Sequence, residues 1–425
     1  MDMNKVIPFF IALSIIMLIF DFYFLNKWTK FVKLRIWNKL FYKIPWGFAG
    51  LMVILLVITS WQKFITTKPN EISNLFYFLS VVWYLPKLII VPVILIKDFF
   101  RFLFKYKKLN RLKLSNLKVI ENNDIKLNSG RRKFLQTAGW GLAGIPFIAV
   151  TDGLVRTTYN FKVYNVPINL KKLPVKFNGF KIVQISDLHA GSFDSHKPFT
   201  NTVNIVNSLK PDMIVITGDF VNFKPSELEE FIPDFKKLSA PFGVYGCLGN
   251  HDHYMNSIKH QKLLEMLNSA GVRLLINENV PIQKDGETFY LAGSDSSSYK
   301  QYYADFTKTL DGIYSEYPII LLCHDPTNWD RSIRGKTSVD LMLAGHTHGG
   351  QIGIDIFGEQ YSPARLLYEQ WAGLYSDKDQ YLYVNCGLGI TGPPLRIGIP
   401  PEITLFTLHN TNYRLDVLDF QRSLV

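Results

Sequence analysis

Cysteine is scarce. Cys247, Cys323 and Cys386 are the only three in 425 residues, an odd count at wide spacing, each inside an apolar run. That excludes a disulfide framework and a CxxC metal knuckle, and the three read as small buried hydrophobes. Acidic residues are scarce in one region only. The first 160 residues carry 7 Asp/Glu against 23 Lys/Arg, a balance of +16, whereas residues 161–425 carry 28 against 24, or −4. The formal +12 of the whole chain therefore lies among apolar segments. There it reads as membrane orientation, and no nucleic-acid partner is expected. Internal repeats and low-complexity tracts are also missing, and with 48% hydrophobic residues disorder is not the default.

Long hydrophobic runs are present instead. Val6–Leu25, Ile44–Trp61 and Leu75–Ile96 each approach the roughly twenty residues that span a bilayer core. The third is interrupted by Pro86-Lys87 and Pro92, and Lys87 reads as a side chain facing other helices at a proline kink. The loops differ in charge. Six basic residues lie between the first two runs and two between the next pair; eleven lie in 101–133, against two acidic residues. Positive loops stay in the cytoplasm, so the N-terminus is expected outside and Arg131-Arg132 inside. Thr137–Val150, short and Gly-rich, would be a fourth span running outward. The arginine pair, followed by Lys133-Phe134-Leu135 and this run, resembles the twin-arginine export signal, whose machinery moves folded, often metal-loaded domains. Gly130 and Gln136 depart from the usual residues of that signal. No A-x-A cleavage site follows, so a permanent anchor is expected. An ordinary short helix with basic flanks is the other reading.

From Phe161 the texture becomes α/β. Runs at 181–186, 213–217, 243–249, 288–293, 319–324, 339–345, 381–387 and 403–408 read as strands, and Thr200–Leu209 and Ile258–Ala270 as helices. Polar residues follow the apolar runs: Asp187-Leu188-His189, Gly218-Asp219, Asn250-His251-Asp252, His324, and Gly345-His346-Thr347-His348. Ligands of α/β folds bind at that rim of a sheet. Carboxylates and neutral imidazoles suit Mn, Fe or Zn, and an aspartate can bridge two cations. Gly218, Gly249 and Gly345 are expected to let the backbone turn and approach closely.

These five elements in this order resemble the calcineurin-like metallophosphoesterase superfamily (D-x-H, G-D, G-N-H-D/E, H, G-H-x-H), over about 161–410. The continuation from "GHTHGGQI" into "YLYVNCGLGITGPPLRIGIPPEITLFTL" resembles its membrane-anchored or exported bacterial phosphodiesterases, a branch with enzymes similar to UDP-2,3-diacylglucosamine pyrophosphatases. The resemblance implies a two-sheet α/β sandwich behind an all-α transmembrane region. It implies two divalent metal ions: one held by Asp187, His189 and His348, one by Asn250, His324 and His346, with Asp219 bridging. His251 would be the catalytic imidazole and Asp252 the partner that fixes its tautomer. A metal-bridging hydroxide would attack a phosphodiester, phosphomonoester or pyrophosphate of a small molecule or lipid. His253 reads as a solvated turn histidine, and His196, His260 and His409 as surface residues. Arg396 either contacts phosphate or ties down the C-terminal loop; Trp329 and Trp371 read as core.

The expected organisation is three spans in 1–100, a basic cytoplasmic linker at 101–135, a fourth span at 136–153, the enzyme at 161–410 and a tail at 411–425. The enzyme is expected outside the cytoplasm, on a multi-pass protein of the inner membrane that the twin-arginine machinery helps to place. A cytoplasmic lipid-precursor pyrophosphatase and a non-catalytic sensor of a phosphorylated ligand are the alternatives.

Overall fold

The computed structural model describes residues 3–33, 39–65, 71–114, 129–193, 195–298, 300–356, 359–392, 394–410 and 423–424. Part of the basic linker (115–128) and most of the C-terminal tail (411–422) lie outside the described residues. The chain divides into two compact units, Met1–Asp152 and Gly153–Val425.

The first unit is helical: α1 (Met3–Lys33), α2 (Leu40–Ile65), α3 (Glu71–Leu114), α4 (Ser129–Leu142) and α5 (Ile145–Val155). Among the described residues, four stretches are long and apolar enough to cross a bilayer: Ile11–Lys33, Leu40–Thr59, Ile72–Tyr106 and Lys133–Tyr159. Helix α3 runs unbroken through Pro86 and Pro92; among packed membrane helices the carbonyl freed by a proline finds other partners. Lys87 is fully buried and pairs with Asp21 of α1, its ammonium 3.4 Å from the centre of the Trp83 ring. The Tyr84 hydroxyl donates to the same carboxylate at 3.0 Å. A buried charge that loses its partner costs about 3–5 kcal/mol, so this pair fixes how α1 and α3 meet. The fourth apolar stretch is two helices rather than one, with a turn at 143–144. Pro146 has no N–H to offer the preceding turn, and Gly141 and Gly144 weaken the helix there. Arg131 is exposed, and the side chain of Arg132 lies outside the described residues.

The second unit is a sandwich of two sheets. In one, the spatial order is Ser423–Leu424, Lys162–Leu170, Glu402–Asn410, Phe180–Ile185, Met213–Thr217, Val244–Cys247, Val272–Leu274. In the other it is Gly373–Asp377, Gln380–Val384, Leu341–Ala344, Ile319–Leu322, Glu287–Gly293, Glu278–Lys284. Alternation along the central strands builds three layers, because successive side chains point to opposite faces. Met213 and Val215 join Ile320, Leu322, Leu341 and Leu343 between the sheets. Ile214 and Ile216 pack outward with Val203 and Val206 of the helix Lys197–Ser208 and Leu263 and Leu267 of the helix Ser257–Ser269. Ile319, Leu321, Met342 and Ala344 face a third cluster that contains Trp329. Trp371 packs in a smaller one. All three cysteines are buried and free.

The strands that carry the polar motifs run parallel. Phe180–Ile185, Met213–Thr217 and Val244–Cys247 are parallel neighbours, as are Ile319–Leu322 and Leu341–Ala344. Their carboxyl ends therefore open onto the same rim of the sandwich.

Candidate metal centre

The rim gathers the seven residues that the motifs single out as metal ligands. Asp187, His189, Asp219, Asn250 and His324 are at most 1% exposed, and His348 is 4% exposed; His346 is half-buried. Among the described residues, three groupings place their donor atoms within 4.8 Å of one another: Asp187–His189–His348, Asp219–His324–His346 and His189–Asp219–His251. Asp219 connects them. Its Oδ2 lies 3.4 Å from His189 Nε2 and 3.1 Å from His324 Nε2. His348 Nε2 is 3.3 Å from Asp187 Oδ1 and 3.1 Å from His189 Nε2, and His346 Nδ1 is 3.3 Å from His324 Nε2.

The backbone is strained where these side chains converge. Asp187, His189, Asp219, His346 and His348 all have positive φ, between 45° and 72°. Non-glycine residues rarely adopt this conformation, and it concentrates at functional sites. Of the three glycines expected to turn the chain, only Gly218 does so (φ 84°). Gly249 and Gly345 serve by lacking a side chain: a Cβ on Gly249 would run into the Asp219 carboxylate, and one on Gly345 into Ser186 and Asp187.

The donor set fits cations. Asn250 Oδ1 is buried with no hydrogen-bond partner, while its Nδ2 donates to Tyr254 Oη at 2.8 Å. An orphaned buried carbonyl oxygen is costly unless something positive meets it. His189 and His324 each present Nε2 to the centre because Nδ1 is engaged behind, by Asn222 Oδ1 at 2.7 Å and by the Thr217 carbonyl at 2.6 Å. Such contacts fix the tautomer of ligating histidines. Burial opposes charge on His324, yet Asp219 and Asp187 push it up to about 10. Burial likewise works against the Asp219 carboxylate, but His324 and His189 hold it well below the usual range. Burial, and then His324, lower His346 to about 4; burial, His189 and Arg396 push His348 well down. Both shifts run toward the neutral imidazole, the form that ligates metals.

Asp252 does not partner His251. The carboxylate is fully buried and accepts from four backbone N–H groups: Asp219 (2.9 Å), Phe220 (2.9 Å), Val221 (3.3 Å) and Gly249 (3.0 Å). It clamps the Asp219 loop onto the Gly249 loop, and a side chain committed to four donors has none left for an imidazole. The His251 ring is oriented by the carbonyl of Asn222, 3.0 Å from Nδ1. Burial and the neighbouring His189 lower its pKa.

Other histidines depart from expectation. His253 is no solvated turn residue: its Nε2 meets Asp295 Oδ1 at 2.7 Å, and its ring stacks on His260 and Tyr303. His260 is half-buried rather than on the surface, its Nδ1 2.9 Å from the Asp252 carbonyl. His409 is half-buried too, and His196 is exposed. Arg396 takes the tying role. It is fully buried and donates Nη2 to the carbonyls of Cys386 (2.9 Å), Gly387 (3.1 Å) and Gly389 (2.6 Å). Asn222, Tyr254 and Tyr368, whose hydroxyl is 3.3 Å from His346 Nε2, went unread in the sequence. Asn222 lies three residues past Asp219, a spacing that could have drawn notice; Tyr368 belongs to no motif.

Comparison with known proteins agrees with this geometry. The calcineurin-like phosphoesterase family matches residues 180–350, and the transmembrane domain described for calcineurin-like phosphoesterases matches residues 5–158. A transmembrane protein with metallophosphoesterase domain from Danio rerio is 31% identical over 72% of this chain and 70% of its own length. The metallophosphoesterase YkuE of Bacillus subtilis is 35% identical over 56% of this chain and 82% of its own. The phosphodiesterase YaeI of Escherichia coli is 29% identical over 54% and 82%. The chain belongs to the calcineurin-like metallophosphoesterases. It is a hydrolase of that family with four apolar helical stretches ahead of the α/β sandwich.

Proposed function

We propose that this membrane protein hydrolyses phosphate esters, whether diester, monoester or pyrophosphate, with two divalent cations. Asp187, His189 and His348 would hold one, Asn250, His324 and His346 the other, and Asp219 would serve both. The observation that carries this reading is the single Asp219 oxygen placed between His189 and His324. The imidazole–carboxylate donor set suits Mn, Fe or Zn. Two cations in such a site supply a nucleophile near neutral pH and neutralise charge on the phosphoryl oxygens.

The chain's own residues do the rest. With Nδ1–H donated to the Asn222 carbonyl, His251 keeps Nε2 for the substrate; as the imidazolium it would give its Nε2 proton to the leaving oxygen, and its lowered pKa makes that cation the stronger acid. Phe223 and Tyr254, both exposed, flank that ring with centroids at 6.0 and 4.7 Å. Asp252 keeps Asp219 in its left-handed conformation by holding the N–H groups of residues 219–221.

The full chain in detergent is expected to hydrolyse a generic aryl phosphodiester once Mn is supplied, and a strong chelator to abolish the activity. Binding of phosphorylated compounds without turnover would favour the sensor instead.

The basic loops support a topology with an even number of spans and the enzyme outside the cytoplasm. A reporter active only outside the cytoplasm, fused after Val425, should be active, and one placed within 105–118 silent. Replacing Arg131 and Arg132 together by Lys keeps the charge, so reduced export would support twin-arginine recognition and unchanged export an ordinary helix. A silent C-terminal fusion would put the domain at the inner leaflet and favour a nucleotide–lipid pyrophosphate as substrate.

A further inference from the structure

We propose that α1, α3 and α4 frame a binding site for an anionic phospholipid, separate from the metal centre. The three helices border a half-open groove of about 750 Å³, a volume in the range of small-molecule sites. One end is strongly basic: Lys27 and Lys30 of α1 and Lys97 and Arg101 of α3 line it. Asp98 is the one acidic lining residue, and it is already engaged by Lys27 and by the Tyr23 hydroxyl at 2.7 Å. Four cations against one carboxylate leave three positive charges at this end.

Apart from Gln136 of α4, the remainder of the lining is apolar or glycine. Along α3 its wall runs from Arg101 back to Ile89, twelve residues or about 18 Å of helix. On the facing side α4 supplies Gly139, Trp140 and Ala143. Trp140 packs against Trp28 and Phe31 at centroid distances of 5.2 and 5.5 Å, which holds α4 against α1. A site with a cationic mouth and an apolar trough of this length complements a molecule with a phosphate at one end and an acyl chain at the other. Basic pockets between membrane helices take anionic head groups for this reason. A zwitterionic head would leave the surplus positive charge uncompensated.

The experiment uses the full chain in detergent and counts bound lipid by native mass spectrometry, with phosphatidylglycerol and phosphatidylcholine as probes and glycerol 3-phosphate as the headgroup without chains. Phosphatidylglycerol should bind saturably at one per chain, and neither of the others should replace it. Lys97→Gln with Arg101→Gln should weaken binding by about ten-fold or more, and Lys97→Arg with Arg101→Lys should retain it. Both side chains are exposed, so these changes leave the packing alone. Gly139→Leu fills the trough: a Cβ there meets nothing within 4 Å, and leucine favours a helix over glycine. It should abolish lipid binding while the thermal transition stays in place. Equal binding of both phospholipids, or displacement by glycerol 3-phosphate, would overturn the proposal. So would full binding by the Gly139→Leu protein, since the lysines and arginine would then be a surface patch that needs no groove.

Discussion

Asp219→Ala is expected to remove nearly all phosphoesterase activity. Its Oδ2 is the atom that lies close to both His189 and His324, and its Oδ1 accepts the N–H of His251 at 2.8 Å. On the two-cation reading, one substitution would strip a ligand from each cation position and loosen the loop that carries His251. Loss of several kcal/mol of charge stabilisation corresponds to about 10³-fold or more in rate. Asp219→Asn keeps the shape and should be nearly as inactive, which separates loss of charge from collapse of a buried site. Activity within ten-fold of wild type in both variants would mean that the two groupings do not depend on a shared carboxylate.

His251→Ala is expected to lower kcat by about 10²–10⁴-fold with metal content unchanged. The geometry also allows a grouping of His189, Asp219 and His251, in which His251 would be a ligand. That grouping uses the same His189 and Asp219 as the other two, so it competes with them and adds no third site. The two roles differ in leaving-group dependence. If Nε2 donates the proton, esters with poor leaving groups should suffer far more than activated aryl esters. Metal content falling in parallel with rate would make His251 a ligand, and equal losses for good and poor leaving groups would deny it the proton.

Much of this architecture was legible because it rests on period and order. The strands that precede Asp219 and His346 are buried along their whole length and read as short apolar runs, and the one that precedes Asp187 is buried except for Lys181. The strand Lys162–Leu170 was missed. Tyr164, Val166, Ile168 and Leu170 alternate inward, but Pro167 in its middle argues against a strand by local rules. Glu402–Asn410 pairs along one side, whereas among the described residues the outer neighbour pairs only Tyr164 and Asn165, so Pro167 lies beside an open edge. Glu278–Lys284 contains Pro281 and sits at the edge of its sheet, where a missing donor is tolerated.

In the site, the side chains were legible and their supports were not. Motif order brought the seven candidate ligands together on one rim. Asp252 lies beside His251 in sequence, which made it the natural guess for the imidazole's partner. Its real partners are main-chain N–H groups, which carry no signature in a sequence. Asn222, whose carbonyl took that role, came into reach only through the turn after Asp219. Positive φ at five of the candidate ligands is equally invisible, since Asp and His were chosen there for chemistry against their conformational preference.

The central claim is that the rim holds two cations joined through Asp219. The most direct test is the metal content of the purified full chain, measured by elemental analysis after Mn loading and removal of excess, for wild type and Asp219→Ala. Two ions per wild-type chain, and a clear drop in the variant, are expected. One ion or none in a wild-type protein that remains fully active would contradict it.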